Sequence, residues 1–171
     1  VIRLALGAAL LLAAAPARAD TPEQRLAAKG YTLPAPPKPV ATYVTSVRTG
    51  NLLFLSGHGE CDLANAAKGK LGRDVSVEQG RKSAENVGLC MLATIKAATG
   101  DLAKVKRFVR ILGMVNSAPD FGDQPKVVNG FSDLMVVAFG EGGKAPRSAV
   151  GMAALPFNTA VEIEATVELT D

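Results

Sequence analysis

The 171-residue sequence holds a single histidine, His58, and only two cysteines, Cys61 and Cys90, and it has no block rich in arginine and lysine. Each scarcity closes off a class of function. A lone imidazole supports no Ser-His-Asp relay, and it leaves no histidine pair to carry protons through phosphodiester cleavage. The cysteines fit no metal-ligand spacing. Without a basic block the chain lacks the electrostatic patch that neutralises phosphates, so nucleic acid is not an expected partner. Gly140-Glu-Gly-Gly143 is rich in glycine but lacks the Lys-Ser/Thr and the strand-to-helix setting of a phosphate loop.

What is present divides into three stretches. Residues 1–19 carry Arg3, an apolar run from Leu4 to Ala15, and Ala17-Arg18-Ala19 as a small-x-small cleavage site before Asp20. This is the pattern of a secretory signal peptide, too short to span a bilayer, so a periplasmic or secreted protein with no membrane anchor after cleavage is expected. Removing Arg3 and Arg18 from the 19 basic residues leaves 17 against 16 acidic ones, so the basicity of the whole chain belongs mostly to its leader. An oxidising compartment permits a Cys61–Cys90 disulfide. The expectation here is instead a free Cys90 packed as a small hydrophobe in a helix. Residues 20–42 form an N-terminal extension: a short helix opened by Thr21-Pro22 and closed at Gly30, then a connector with four prolines between Leu33 and Pro39. About 130 residues remain from Tyr43 onward, enough for one domain with one core.

In that domain, Tyr43–Arg48 and Leu52–Ser56 read as strands joined at Thr49-Gly50-Asn51, and Gly57–Gly72 as an irregular loop. Ser76-Val-Glu-Gln79 is a capping box. It opens a helix whose stripe holds Ala84, Val87, Met91, Ile95 and Ala98, with Thr94 as its polar member, and which ends at Gly100. Val105–Asn116 reads as a strand apolar on both faces, with Val109, Ile111 and Val115 on one and Phe108, Leu112 and Met114 on the other. Gln124–Gly140 is a second long helix. Ser148–Leu155 and Ala160–Leu169 are the last strands, and in the final one Val161, Ile163, Ala165, Val167 and Leu169 alternate with Glu162, Glu164, Thr166 and Glu168. The order β-β-α-β-α-β-β predicts an α+β sandwich with two long helices on one face of a mixed sheet. Two helices cover one face only, so the apolar residues on the other call for a lid. Another copy of the chain is the simplest one.

Arg147-Ser-x-Val-x-Met-Ala-x-Leu-Pro156 followed by Val161-Glu-Ile-Glu-Ala165 resembles the C-terminal signature of the reactive intermediate deaminase family, also called Rid or YjgF. Tyr43–Asn51 with Leu53-Phe-Leu-Ser-Gly57 resembles that family's first hairpin, and Val128-Asn-Gly-Phe131 the start of its second helix. The sequence departs from the family pattern at Ala149, where many members carry cysteine, and at His58, where glutamine is common. The resemblance implies a chorismate-mutase-like fold, a homotrimer with clefts between subunits, and hydrolysis of 2-enamino or 2-imino acids to 2-oxo acids and ammonia without metal or organic cofactor. It places Tyr43, Ser56, Asn129, Arg147 and Glu162 in the cleft.

Residue chemistry fits those roles. Arg147 presents a permanently charged fork suited to a small-molecule carboxylate, and an ion pair with Glu162 or Glu164 is the alternative. Glu162, on the face away from the helices, could orient a water together with a backbone carbonyl if burial raises its pKa. Tyr43, Ser56 and Asn129 offer hydrogen bonds to a ligand, or to turns and caps. His58 reads as a satisfied structural histidine. The same residues also suit a non-catalytic carboxylate-binding or chaperone-like module of this fold, and endoribonuclease activity ranks third.

Overall fold

The structure is a computed structural model that describes residues 20–170. The signal-peptide reading of residues 1–19 lies outside the described residues. The elements are α1 (Pro22–Ala28), β1 (Ser46–Thr49), β2 (Leu52–His58), α2 (Val77–Thr99), β3 (Val105–Asn116), α3 (Gln124–Phe139), β4 (Arg147–Met152) and β5 (Val161–Leu169). They form an α+β fold of the chorismate-mutase-like kind, with one five-stranded sheet in the order β1-β2-β5-β3-β4. All neighbours are antiparallel except β3 and β4. That parallel pair is possible because α3 makes the crossover between its strands.

Both long helices pack on one face of the sheet. At the start of α2, the Ser76 hydroxyl accepts from the Gln79 N–H while the Gln79 side chain accepts from the Ser76 N–H. Two otherwise unpaired donors are thereby satisfied. The helix ends at Gly100 with φ 82°, a left-handed cap that glycine takes without steric cost. Val87, Met91, Leu92 and Ile95 of α2 and Val127, Val128, Phe131, Leu134 and Met135 of α3 meet Phe108, Ile111, Val115, Ile163 and Val167 in one core. The extension joins it: Leu26 of α1 is buried there, and Tyr31 donates to Glu85 of α2.

Strand β3 departs from the simple alternation expected of it. Register shifts at Val105/Arg107 and Phe108/Arg110 insert bulges, so Phe108 turns into the core with Ile111 and Val115 while Val109 is exposed. A bulge moves one residue to the opposite face, and period-two counting cannot see it. The first strand begins at Ser46, leaving Tyr43 in the segment before it, and β4 ends at Met152 rather than Leu155. The β4–β5 corner is tight: Phe157 and Asn158 both lie at positive φ, 57° and 58°.

The free-thiol expectation for Cys90 is corrected. Cys61 and Cys90 are joined as a disulfide, with Cα atoms 5.6 Å apart. The physical reason lies one residue earlier. Glu60 is buried and accepts from Ala67 N (3.0 Å), Ser83 Oγ (2.6 Å) and Asn86 Nδ2 (2.7 Å), which ties the loop onto α2 and sets Cys61 over Cys90.

The helices themselves touch closely at Gly130, where an added Cβ would stand 2.0 Å from the Arg81 carbonyl oxygen of α2. A helix backbone cannot yield there. Gly130→Ala should therefore force the helices apart and destabilise the fold by about 1–3 kcal/mol, measured as a lower urea midpoint. An unchanged midpoint would show that the helix contact is looser than described.

Candidate functional site

The predicted site residues fall into two groups on opposite faces of the sheet. Register decides this. Arg147 lies opposite Ile111, and Ile111 opposite Ala165, a row on the helix side. Glu162 lies opposite Met114, and Met114 opposite Val150, a row on the open side. Residues directly opposite one another in a ladder point the same way. The expected alternative, in which Arg147 is neutralised by Glu162 or Glu164 of its own chain, is thus ruled out by geometry.

Arg147 begins the edge strand β4 and reaches toward α3. Its Nη1 donates to Asn129 Oδ1 and to Ser132 Oγ, both at 2.9 Å, and its Nη2 approaches the Pro125 carbonyl at 3.4 Å. Asn129 and Ser132 are three residues apart and share a helix face. All three acceptors are neutral, and among the described residues no carboxylate forms an ion pair with Arg147. Because Nη1 spends both hydrogens and Nη2 one, Nε–H and the second Nη2–H remain. In a guanidinium, Nε–H and one Nη2–H lie parallel along one edge, the geometry that matches a carboxylate. Asn129 thus acts on Arg147 rather than standing alone. Ser132 was not singled out from sequence, although its i+3 spacing from Asn129 on an amphipathic helix is the signal that would have found it.

On the open face, Ser56 and Glu162 flank a bulge in the β2–β5 ladder between Leu55 and His58, while Tyr43 lies in the segment before β1. Ser56 donates through Oγ to Val44 O (2.5 Å) and through its N–H to Thr45 O (3.1 Å), holding down the segment that carries the exposed Tyr43. Gly57 matters for what it lacks: a Cβ there would lie 2.0 Å from Glu162 Oε1, so the carboxylate rests against bare backbone.

The glutamates of β5 are not equivalent. Glu168 pairs with Lys106 (2.8 Å) and Arg107 (2.6 Å), and Glu164 pairs with Arg110 (3.2 Å). Opposite Glu162 stands Met114, and among the described residues no cation pairs with it. Burial first, and repulsion from Glu164 second, raise its pKa above the ordinary carboxylate value. Glu168 moves the other way, held down by hydrogen bonds from Lys106 and Arg107.

His58 is structural, as its sequence context suggested. Its Nδ1 lies 2.7 Å from Ser56 O and its Nε2 2.8 Å from Thr94 Oγ1. A carbonyl only accepts, so Nδ1 carries the proton. Burial lowers the pKa, leaving a neutral ring whose Nε2 accepts from the threonine, a polar residue on the buried face of α2.

Among the described residues no cluster of His, Cys, Asp or Glu could hold a metal ion, and no helix is long and apolar enough to cross a membrane. Two clefts, of about 510 and 450 Å³, are lined by Gly72–Val77 with Gln79 and Phe121, and by Lys70, Ser117–Pro119, Gln124 and Gly151–Ala153. Neither is lined by Arg147 or Glu162. Each half of the site is open in a single chain.

A family profile described as "YjgF/chorismate mutase-like, putative endoribonuclease" matches residues 23–169. Protein TCP17 of Trypanosoma cruzi is 42% identical over 144 residues, which span 83% of this chain and 90% of that protein. The crystal structure of protein Atu1372 from Agrobacterium tumefaciens superposes with a TM-score of 0.81 at 43% identity, covering 87% of this chain and 92% of that one. RidA from the Antarctic bacterium Psychrobacter superposes with a TM-score of 0.54 at 27% identity, covering 78% and 94%.

The environment of Glu162 has a measurable signature. Its carboxyl should titrate above 4.5, and Glu164→Gln should bring the midpoint down by removing the like charge, both read by carbon-detected NMR. A carboxyl with a raised folded pKa contributes stability below its unfolded pKa and loses it as pH rises through the folded one. Glu162→Gln should therefore raise the urea midpoint at pH 7. A Glu162 midpoint at or below 4.5 would mean the carboxylate is solvated or paired.

Proposed function

The chain belongs to the YjgF/chorismate mutase-like family, also called Rid, and from that membership we propose that it hydrolyses 2-imino and 2-enamino acids to 2-oxo acids and ammonia. The observation that carries this reading is the set of neutral oxygens around Arg147. A cation whose neighbours hold it in place without cancelling its charge is suited to a ligand's carboxylate. The Rid resemblance of the Arg147 and Glu162 segments, and the likeness to RidA, supply the reaction class.

The reaction makes modest demands. The Nε/Nη2 edge of Arg147 grips the substrate carboxylate and fixes the imine carbon in place. Water adds to that carbon, and its proton passes to Glu162, whose raised pKa suits it to hold a proton nearer neutrality. The C=N π pair moves to the protonated nitrogen to give a carbinolamine, whose amino nitrogen takes the proton back from Glu162. The C–N electron pair then leaves with ammonia while the hydroxyl O–H bond breaks, its proton returning to Glu162 and its electrons completing the carbonyl. Tyr43, Ser56 and Asn129 shape the cleft, and Ala149 leaves its wall lower than a cysteine would.

One chain cannot bring the two halves together, because they occupy opposite faces of its sheet. In the proposed homotrimer, Arg147 of one copy meets Glu162, Ser56 and Tyr43 of its neighbour. The open face supports this reading, since Val47, Phe54, Val109 and Val150 are exposed on it. The endoribonuclease in the family's description finds less support. The only histidine is buried between Ser56 and Thr94, so no imidazole is free to move a proton at a phosphodiester.

Two parallel charged hydrogen bonds to a carboxylate contribute about 3–6 kcal/mol together. Arg147→Ala should accordingly lower kcat/KM for freshly generated 2-iminopropionate by about 10²–10⁴-fold, read as ammonia release. Sedimentation should still show a trimer. Undiminished turnover in that variant, or a monomeric wild-type protein, would remove the assignment. Binding of 2-oxo acids through Arg147 without any ammonia release would make the protein a non-catalytic carboxylate-binding module.

A further inference from the structure

Along the helix-facing side of β4, Arg147 is followed by Ala149 and then Gly151. Past Gly151 lies the cleft of about 450 Å³ bordered by Lys70, Ser117 and Gln124. The two regions adjoin through the start of α3. The Pro125 carbonyl faces Arg147, and its neighbour Gln124 lines the cleft.

Three side chains there carry hydrogens that their present partners use poorly. Lys70 Nζ donates well to Ala153 O (2.6 Å) and Asn116 Oδ1 (2.8 Å), but its third contact, Ser117 O, is at 3.5 Å. Gln124 Nε2 donates to Phe121 O at 2.6 Å and reaches Ser117 Oγ only at 3.4 Å. The Ser117 hydroxyl accepts that long bond, and among the described residues it donates to nothing. Contacts of 3.4–3.5 Å are weak and readily exchanged. Among the described residues Lys70 forms no ion pair, although its charge acts on Asp74. Asp74, the nearby acid, is held by the Arg73 guanidinium and by the Lys70 main-chain N–H instead. A buried or half-buried ammonium supported by neutral oxygens retains charge for an anion, as Arg147 does.

Gly151 keeps these donors open. A Cβ on it would stand 2.6 Å from Ser117 Oγ and 2.9 Å from Gln124 Nε2.

We propose that the Lys70–Ser117–Gln124 cleft is the side-chain subsite of the Arg147 site and takes a second carboxylate, so that the favoured ligands are 2-imino or 2-oxo dicarboxylic acids. The inference rests on Arg147 gripping the first carboxylate. Roughly 13 Å of strand separates Arg147 from Gly151, and the Arg147 guanidinium and the Gln124 end of the cleft meet at the start of α3. The ligand's acids are therefore separated by several carbons.

Isothermal titration of the full chain with 2-oxoadipate and 2-oxohexanoate isolates the second carboxylate, because the two acids share a carbon count. 2-Oxoadipate should bind at least roughly tenfold tighter. Lys70→Met and Gly151→Ala should each abolish that preference while leaving 2-oxohexanoate unaffected. Gly151→Ala carries the test if Lys70→Met fails to fold, since it leaves the lysine's structural bonds intact. Equal affinity for the two acids in the wild type, or a preference that survives Gly151→Ala, overturns the subsite. Arg147→Ala separates the two readings. If both acids require Arg147 but are bound alike, only the subsite fails. If neither binds the wild type, or both bind the variant undiminished, the Arg147 grip fails and the subsite with it.

Discussion

A guanidinium held by an amide oxygen, a hydroxyl and a peptide carbonyl is fixed in direction and left with its charge. A carboxylate in the same place would have cancelled it. That difference sets what the surrounding structure must do. The parallel β3–β4 pair carries Arg147 to the sheet edge. The crossover helix α3 supplies all three acceptors, and the close approach of α2 at Gly130 keeps that helix at the height where Asn129 and Ser132 meet the arginine. Packing between the two helices therefore bears directly on the chemistry of a residue that touches only one of them.

The open face shows the same economy with the opposite sign. Three glutamates project from β5, and the bulged strand β3 sets cations beside two of them and a methionine opposite the third. An acid without a cation, half-buried and near another acid, binds its proton more tightly. Glycine at position 57 lets that acid settle on the backbone. His58, immediately after, anchors the bulge to α2 through Thr94. The arrangement links an otherwise unexplained polar residue in a helical stripe to the position of a carboxylate on the far side of the sheet.

These two halves give the proposed deamination its logic, since a cation and a proton-holding acid on opposite faces of one sheet can act on one small molecule only across a boundary between copies. The apolar residues left on the open face and the proposed assembly point the same way. The dicarboxylate subsite extends the helix-side half along its own strand, using donors whose weak contacts a ligand could replace.

Much of this was legible in the sequence. The capping box at Ser76, the apolar stripes of the two long helices and the alternation from Val161 to Leu169 are local patterns, and local patterns survive into the fold because burial of one face is what they encode. The resemblance carried by the segments around Arg147 and Glu162 identified the family correctly. The bulges in β3, the joining of Cys61 to Cys90, the partnership of Ser132 with Arg147 and the separation of Arg147 from Glu162 were not legible. Each depends on which strand lies beside which and in what register, a relation between residues far apart in the chain. By itself the sequence determined which residues could be charged, buried or helical. Only the tertiary structure decided which of those charges would be answered by a neighbour and which would be left for a ligand, because charge compensation acts through space over a few ångströms and not along the chain.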